Sequence, residues 1–218
     1  IPWAIIDYLR YIFYKEKSKT IDDLLKSKVI FIHIPKTAGS SINKSLSYKS
    51  KRMHHSYNFY NYLIPNNPEL NTFSVIRNPW DRFISTYFFL KNGGHQLEYQ
   101  IKFKNFINKI NNITSFIKII EKIGIYKINP IGFLPQYKYI TNINGNIQVD
   151  YLIRFENLHK ELDILSKKLN LTINLPHLNK SSHNHFSTYY TEETKEIIGN
   201  IYKTDIELFG YTFDNKLI

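Results

Sequence analysis

Residues 28–34 form a near-continuous apolar run rich in β-branched side chains, the pattern of a strand covered on both faces. Residues 72–77 repeat it and predict a second strand. Helices are predicted over 2–14, 40–48 and from 79 to about 91. Asn78 and Pro79 suit the cap and first position of the third helix, and Asn92-Gly93-Gly94 stops it. Its apolar stripe is Phe83, Ile84, Tyr87 and Phe88. Two amphipathic segments lie within 102–123, around Asn111-Asn112. Residues 137–141 and 147–153, with Asn144-Gly145 between them, predict a β-hairpin. The last helices cover 156–169 and 191–209, and a Pro- and Asn-rich loop fills 174–187.

Strands alternating with helices predict an α/β fold with a P-loop-like central parallel sheet, flanked by helices on both faces. No internal repeat or linker divides the chain, so residues 1–218 read as a single domain, with 1–27 as an N-terminal helical segment packed on it. A membrane-surface position for the opening helix is the other reading of its apolar and aromatic residues, so peripheral membrane contact stays open. With neither a signal-peptide pattern nor a membrane-spanning run, the expectation is a cytoplasmic protein. The excess of Lys, Asn, Ile and Tyr points to an AT-rich, bacterial source.

The chain lacks cysteine, which excludes disulfides, thiolate metal sites and a cysteine nucleophile. The net charge of +11 favours anionic ligands. The chemistry concentrates where the two strands end. After the first come Pro35-Lys36-Thr37-Ala38-Gly39-Ser40-Ser41. Backbone N–H groups at a helix start attract an anion, Gly39 permits close approach, Lys36 adds a charge and the hydroxyls can donate. This is not a Walker A loop, because Lys36 precedes Gly39 instead of following it. After the second strand comes Arg77-Asn78-Pro79-Trp80-Asp81-Arg82-Phe83-Ile84-Ser85, with a base where a kinase places a metal-binding acid.

This pair resembles the sulfotransferases that use 3'-phosphoadenosine 5'-phosphosulfate (PAPS), in the branch of the heparan and chondroitin enzymes and their bacterial relatives. The segments 149–158 and 202–211 extend the resemblance to the C-terminal part of the chain. It implies that the residues from Pro35 to Ser41 bind the 5'-phosphosulfate and that Arg77 and Ser85 bind the 3'-phosphate. PAPS would serve as co-substrate, leaving 3'-phosphoadenosine 5'-phosphate (PAP), with no metal. The acceptor implied is a hydroxyl, foremost that of a carbohydrate and acidic in some cases; nucleic acid is not an expected partner. Asn179-Lys180-Ser181-Ser182 would close over nucleotide or acceptor, so Lys180 and Ser181 join the nucleotide-binding candidates.

Sulfuryl transfer needs a base for the acceptor hydroxyl and a cation beside the leaving phosphate. Lys36 suits the second role. His55 is the first choice as base, with His54 as a neighbour that orients substrate; they stand 22 and 23 positions before Arg77. His33, in the first strand, reads as a hydrogen-bonded core histidine. His183, Arg154 and Glu156 are candidates for substrate contact, the last two being equally readable as a structural ion pair. Two other functions stay open: a P-loop-type nucleotide kinase or phosphotransferase, and a basic polyanion-binding module without catalysis.

Overall fold

The computed structural model describes residues 3–14, 17–46, 54–128, 130–173, 175 and 184–214. In chain order the elements are α1 (Trp3–Phe13), α2 (Lys17–Ser27), β1 (Val29–Ile32), α3 (Gly39–Ser45), α4 (Tyr57–Leu63), β2 (Asn71–Ile76), α5 (Pro79–Lys91) and α6 (Glu98–Ile107). They continue with α7 (Ile113–Ile123), α8 (Pro130–Phe133), α9 (Tyr137–Ile140), β3 (Tyr151–Arg154), α10 (Leu158–Leu169), α11 (Glu192–Ile201) and α12 (Lys203–Phe209). The α/β expectation holds: the strands form a parallel sheet in the order β1-β2-β3. Contacts cluster into two compact units, one of residues 1–76 and 136–178, the other of 77–135 and 179–218.

The first unit holds the sheet. Phe31 pairs with Phe73, and Phe73 with Tyr151, so β2 is central. All of β1, and β2 from Thr72 onward, is buried, as unbroken apolar strands require. Ser74 satisfies its buried hydroxyl by donating to the Ile32 carbonyl, 2.8 Å away. Asp150 accepts from both the N–H and the hydroxyl of Thr72, which fixes where β3 joins. Leu24 of α2 is buried, and α2 packs on β1. Helix α1 packs on α4 through Tyr8 and Tyr11 against Tyr62.

The second unit is a helical cluster centred on α5. Asn78 caps that helix by accepting from the N–H groups of Trp80 and Asp81, and Pro79 opens it. Phe83, Ile84 and Tyr87 meet Phe116, Ile117 and Ile120 of α7, Phe133, and Ile197 and Ile198 of α11 in one core. Gly199 lets α11 lie against the Trp80 ring, since a Cβ there would sit 3.3 Å from it. Arg82 is fully buried and donates to the carbonyls of Leu134 and Gly132. Its charge-assisted bonds hold the turn that follows α8.

The predicted hairpin is corrected. Residues Tyr137–Ile140 form α9, and a single antiparallel bridge, Thr141 to Ile147, spans the Asn144-Gly145 turn. The strand that follows pairs in parallel with β2. The turn chemistry was read correctly, with Gly145 at φ 81°, but four residues before it make helical bonds instead of a ladder. The predicted helix over 191–209 breaks at Tyr202, whose hydroxyl donates to the Phe133 carbonyl. Most of the 174–187 loop lies outside the described residues; its end forms a 3-10 turn, Phe186–Tyr189.

Candidate functional site

In the first unit, β1 runs into a loop with two non-glycine residues in the left-handed region, Lys36 at φ 69° and Ala38 at φ 64°. Such backbone is costly and persists where surrounding contacts enforce it. One of these is Thr37, which is wholly buried and donates its hydroxyl proton to the Ile34 carbonyl at 2.9 Å. That bond ties the loop back to the end of the β1 segment. Pro35 and Gly39 are buried, Lys36, Ala38 and Ser41 are half-buried, and Ser40 is exposed.

Gly39 owes its identity to His33. A Cβ on Gly39 would overlap the His33 imidazole, with even the farther Cε1 at only 2.7 Å. His33 is buried, stacks on Phe31, and has its Nδ1 3.3 Å from the Asn43 side-chain amide. Burial, then the nearby His54 and Lys36 charges, hold its pKa well below the usual histidine range. As expected, it is a neutral, hydrogen-bonded core histidine.

His54 and His55 part company. The His54 ring lies 4.3 Å from that of His33, and its Nδ1 is 3.0 Å from the His33 carbonyl. A carbonyl only accepts, so Nδ1 carries the hydrogen, and in neutral His54 the nitrogen able to take a proton is Nε2. His55 turns away from the loop. It stacks on Phe59 at 3.5 Å between centroids, with Tyr14 and Tyr60 edge-on. Burial, followed by the Arg10 and His54 charges, pushes its pKa down to about 3. Among the described residues, its buried Nε2 has no hydrogen-bond partner.

Of the substrate-contact candidates, Arg154 ends β3, and its backbone N–H donates to Glu161 at 2.8 Å. Glu156 is exposed in the 3-10 turn that follows. Lys180, Ser181 and His183 lie outside the described residues.

In the second unit, Arg77 is 7% exposed and gripped by Asp81 in a two-pronged pair, Nε to Oδ2 at 2.8 Å and Nη2 to Oδ1 at 2.9 Å. This fork uses two of the five guanidinium N–H groups and fixes the plane in which the others point. Ser85 stands one helical turn beyond Asp81 and is nearly buried. Asp81 and Arg82 were read from the sequence only as positions in the motif. The first aligns Arg77 and the second is a core latch; the signal available was the i,i+4 spacing of Arg77 and Asp81.

The first unit thus brings together Lys36, Gly39, His33 and His54, and the second brings together Arg77, Asp81 and Ser85. A search of curated proteins finds no match, and neither does a search of solved structures. The model of the sulfotransferase family does match, over residues 21–212, and so includes every element from β1 to α12. With that span covering most of its length, the chain belongs to the sulfotransferase family.

Proposed function

We propose that this sulfotransferase takes its sulfuryl group from PAPS and passes it to an acceptor hydroxyl, foremost of a carbohydrate, with His54 as the base. The observation that carries the choice of base is the His54 Nδ1–H on the carbonyl of His33, the residue whose ring meets Gly39. It leaves Nε2 as the proton acceptor next to the loop assigned to the phosphosulfate. His55 is a weak base, stacked among Phe59, Tyr14 and Tyr60.

Lys36 and the loop to Ser41 take the 5'-phosphosulfate, and Arg77 and Ser85 take the 3'-phosphate. For the loop, support comes from its place directly after β1 in the first unit; for Arg77 and Ser85 it comes from the motif that the sequence carries from Arg77 to Ser85. Ligands of open parallel sheets lie at the carboxyl ends of the strands. The acceptor oxygen attacks sulfur and its proton passes to His54 Nε2. The bond from sulfur to the bridging oxygen of the 5'-phosphate breaks, and PAP departs with that electron pair. Lys36 offsets the charge that grows on the leaving phosphate.

The test combines calorimetry with a labelled-sulfate assay. Wild type binds PAP and transfers label from PAPS. His54→Ala keeps PAP affinity and loses turnover by about 10²–10⁴-fold, the usual worth of a general base. Binding of ATP with magnesium but not PAP would overturn the donor assignment. A His54→Ala enzyme at full turnover would overturn the assignment of the base.

A further inference from the structure

Helix α1 is turned inside out for a surface helix of a water-soluble protein. Its polar residues face inward: Asp7 has no exposed surface and accepts from the Ser56 hydroxyl at 2.5 Å, and Arg10 lies 3.5 Å from Asp7. Tyr11 and one edge of Tyr8 pack on Tyr62 of α4, and much of the remaining apolar surface faces outward. Ile5, Tyr8, Leu9, Ile12 and Phe13 fall on one stripe by helical spacing, and each is between 44% and 76% exposed. Surface helices bury such a stripe and leave the charges in water; here Asp7 is buried, and most of the stripe beyond the Tyr8 and Tyr11 contacts with α4 stays exposed.

Charge and area indicate what covers the stripe. Lys17 Nζ lies 3.9 Å from the Tyr11 ring centroid, and α2 carries exposed Lys19 and Lys26 along with exposed Asp22. The chain carries +11 overall, which opposes pairing with a second copy and favours an anionic partner. Five half-exposed side chains present on the order of 400 Å². That is about half the roughly 800 Å² that each partner contributes to a stable protein interface. An interfacial helix needs less, because a shallow apolar face and nearby cations act together on an anionic bilayer. Among the described residues no helix is long and apolar enough to cross a membrane.

The geometry points to the Ile5–Leu9–Ile12–Phe13 face of α1 as a docking surface for anionic phospholipid. The test is flotation of the 218-residue chain with vesicles of phosphatidylcholine alone, or with 30% phosphatidylserine. The protein floats with the anionic vesicles and stays behind with neutral ones. Leu9→Glu/Ile12→Glu, checked for an unchanged circular dichroism spectrum, lowers the bound fraction at least about tenfold. In a Phe13→Trp variant, brominated lipid quenches the added indole fluorescence. Wild type that fails to float overturns the inference, as does equal binding by the double-Glu variant. So does a wild-type dimer, seen by light scattering, that the double-Glu variant dissociates, since that assigns the face to self-association. None of these readouts depends on sulfuryl transfer.

Discussion

Replacing Gly39 with alanine tests the geometry of the loop directly. The new Cβ would meet the His33 ring, with Cε1 at 2.7 Å and Cδ2 and Nε2 nearer still. Ordinary contact begins at 3.4 Å, so the ring must retreat by about 0.7 Å for Cε1 alone and further for the other two atoms. Phe31, His54 and Asn43 surround the ring and resist that movement. Overpacking of this kind costs about 1–3 kcal/mol. Alanine in place of glycine at a helical position returns up to about 1 kcal/mol. The expected net is a loss of roughly 0–3 kcal/mol of stability, together with a displaced His33 carbonyl and hence a misaligned His54. A double-mutant cycle isolates the clash. In a His33→Ala background the ring is gone, and Gly39→Ala becomes neutral or stabilising by up to about 1 kcal/mol. Urea denaturation of the four proteins gives the coupling energy, and sulfuryl transfer by Gly39→Ala reports the misalignment. The reasoning is refuted if Gly39→Ala has the same effect in both backgrounds.

His55→Phe should keep turnover within about threefold of wild type, since the ring already sits as an apolar neighbour of Phe59; a loss comparable to that of His54→Ala would return the base to His55. Asp81→Asn should weaken PAP binding about 5–30-fold in calorimetry, because the buried Arg77 fork loses its charged acceptor; unchanged affinity would remove Arg77 from the nucleotide site. Burial raises the Asp7 pKa from 3.8 to about 6, against the opposing Ser56 hydrogen bond and Arg10 charge. The folded state therefore holds this proton more tightly than the unfolded one, so the associated stability is complete below pH 3.8 and is lost as pH rises through about 6. Asp7→Asn should remove that dependence and stabilise the protein at pH 8 by at most about 3 kcal/mol. Equal melting shifts from pH 5 to pH 8 in wild type and variant would refute this account.

Much of the architecture was written locally. The buried strands showed as unbroken apolar runs, and α5 was bounded by Asn78-Pro79 at one end and Asn92-Gly93-Gly94 at the other, because capping and turn chemistry act over a few residues. The loop from Pro35 to Ser41 and the segment from Arg77 to Ser85 were legible for the same reason: an anion cradle is made of neighbours in sequence. Three features depended on distant partners. The stretch 137–140 carries no local mark that separates a strand from one helical turn, and its place as α9 beside α4 decided the matter. Asp81 became the clamp on Arg77 only once the start of α5 set both side chains face to face. Most of all, His54 and His55 are adjacent residues outside any helix or strand, so no periodicity assigns them to a face. Composition cannot say which of two identical neighbours turns toward the loop. The aromatic pocket of Phe59, Tyr14 and Tyr60 captured one ring, and the other lies against His33.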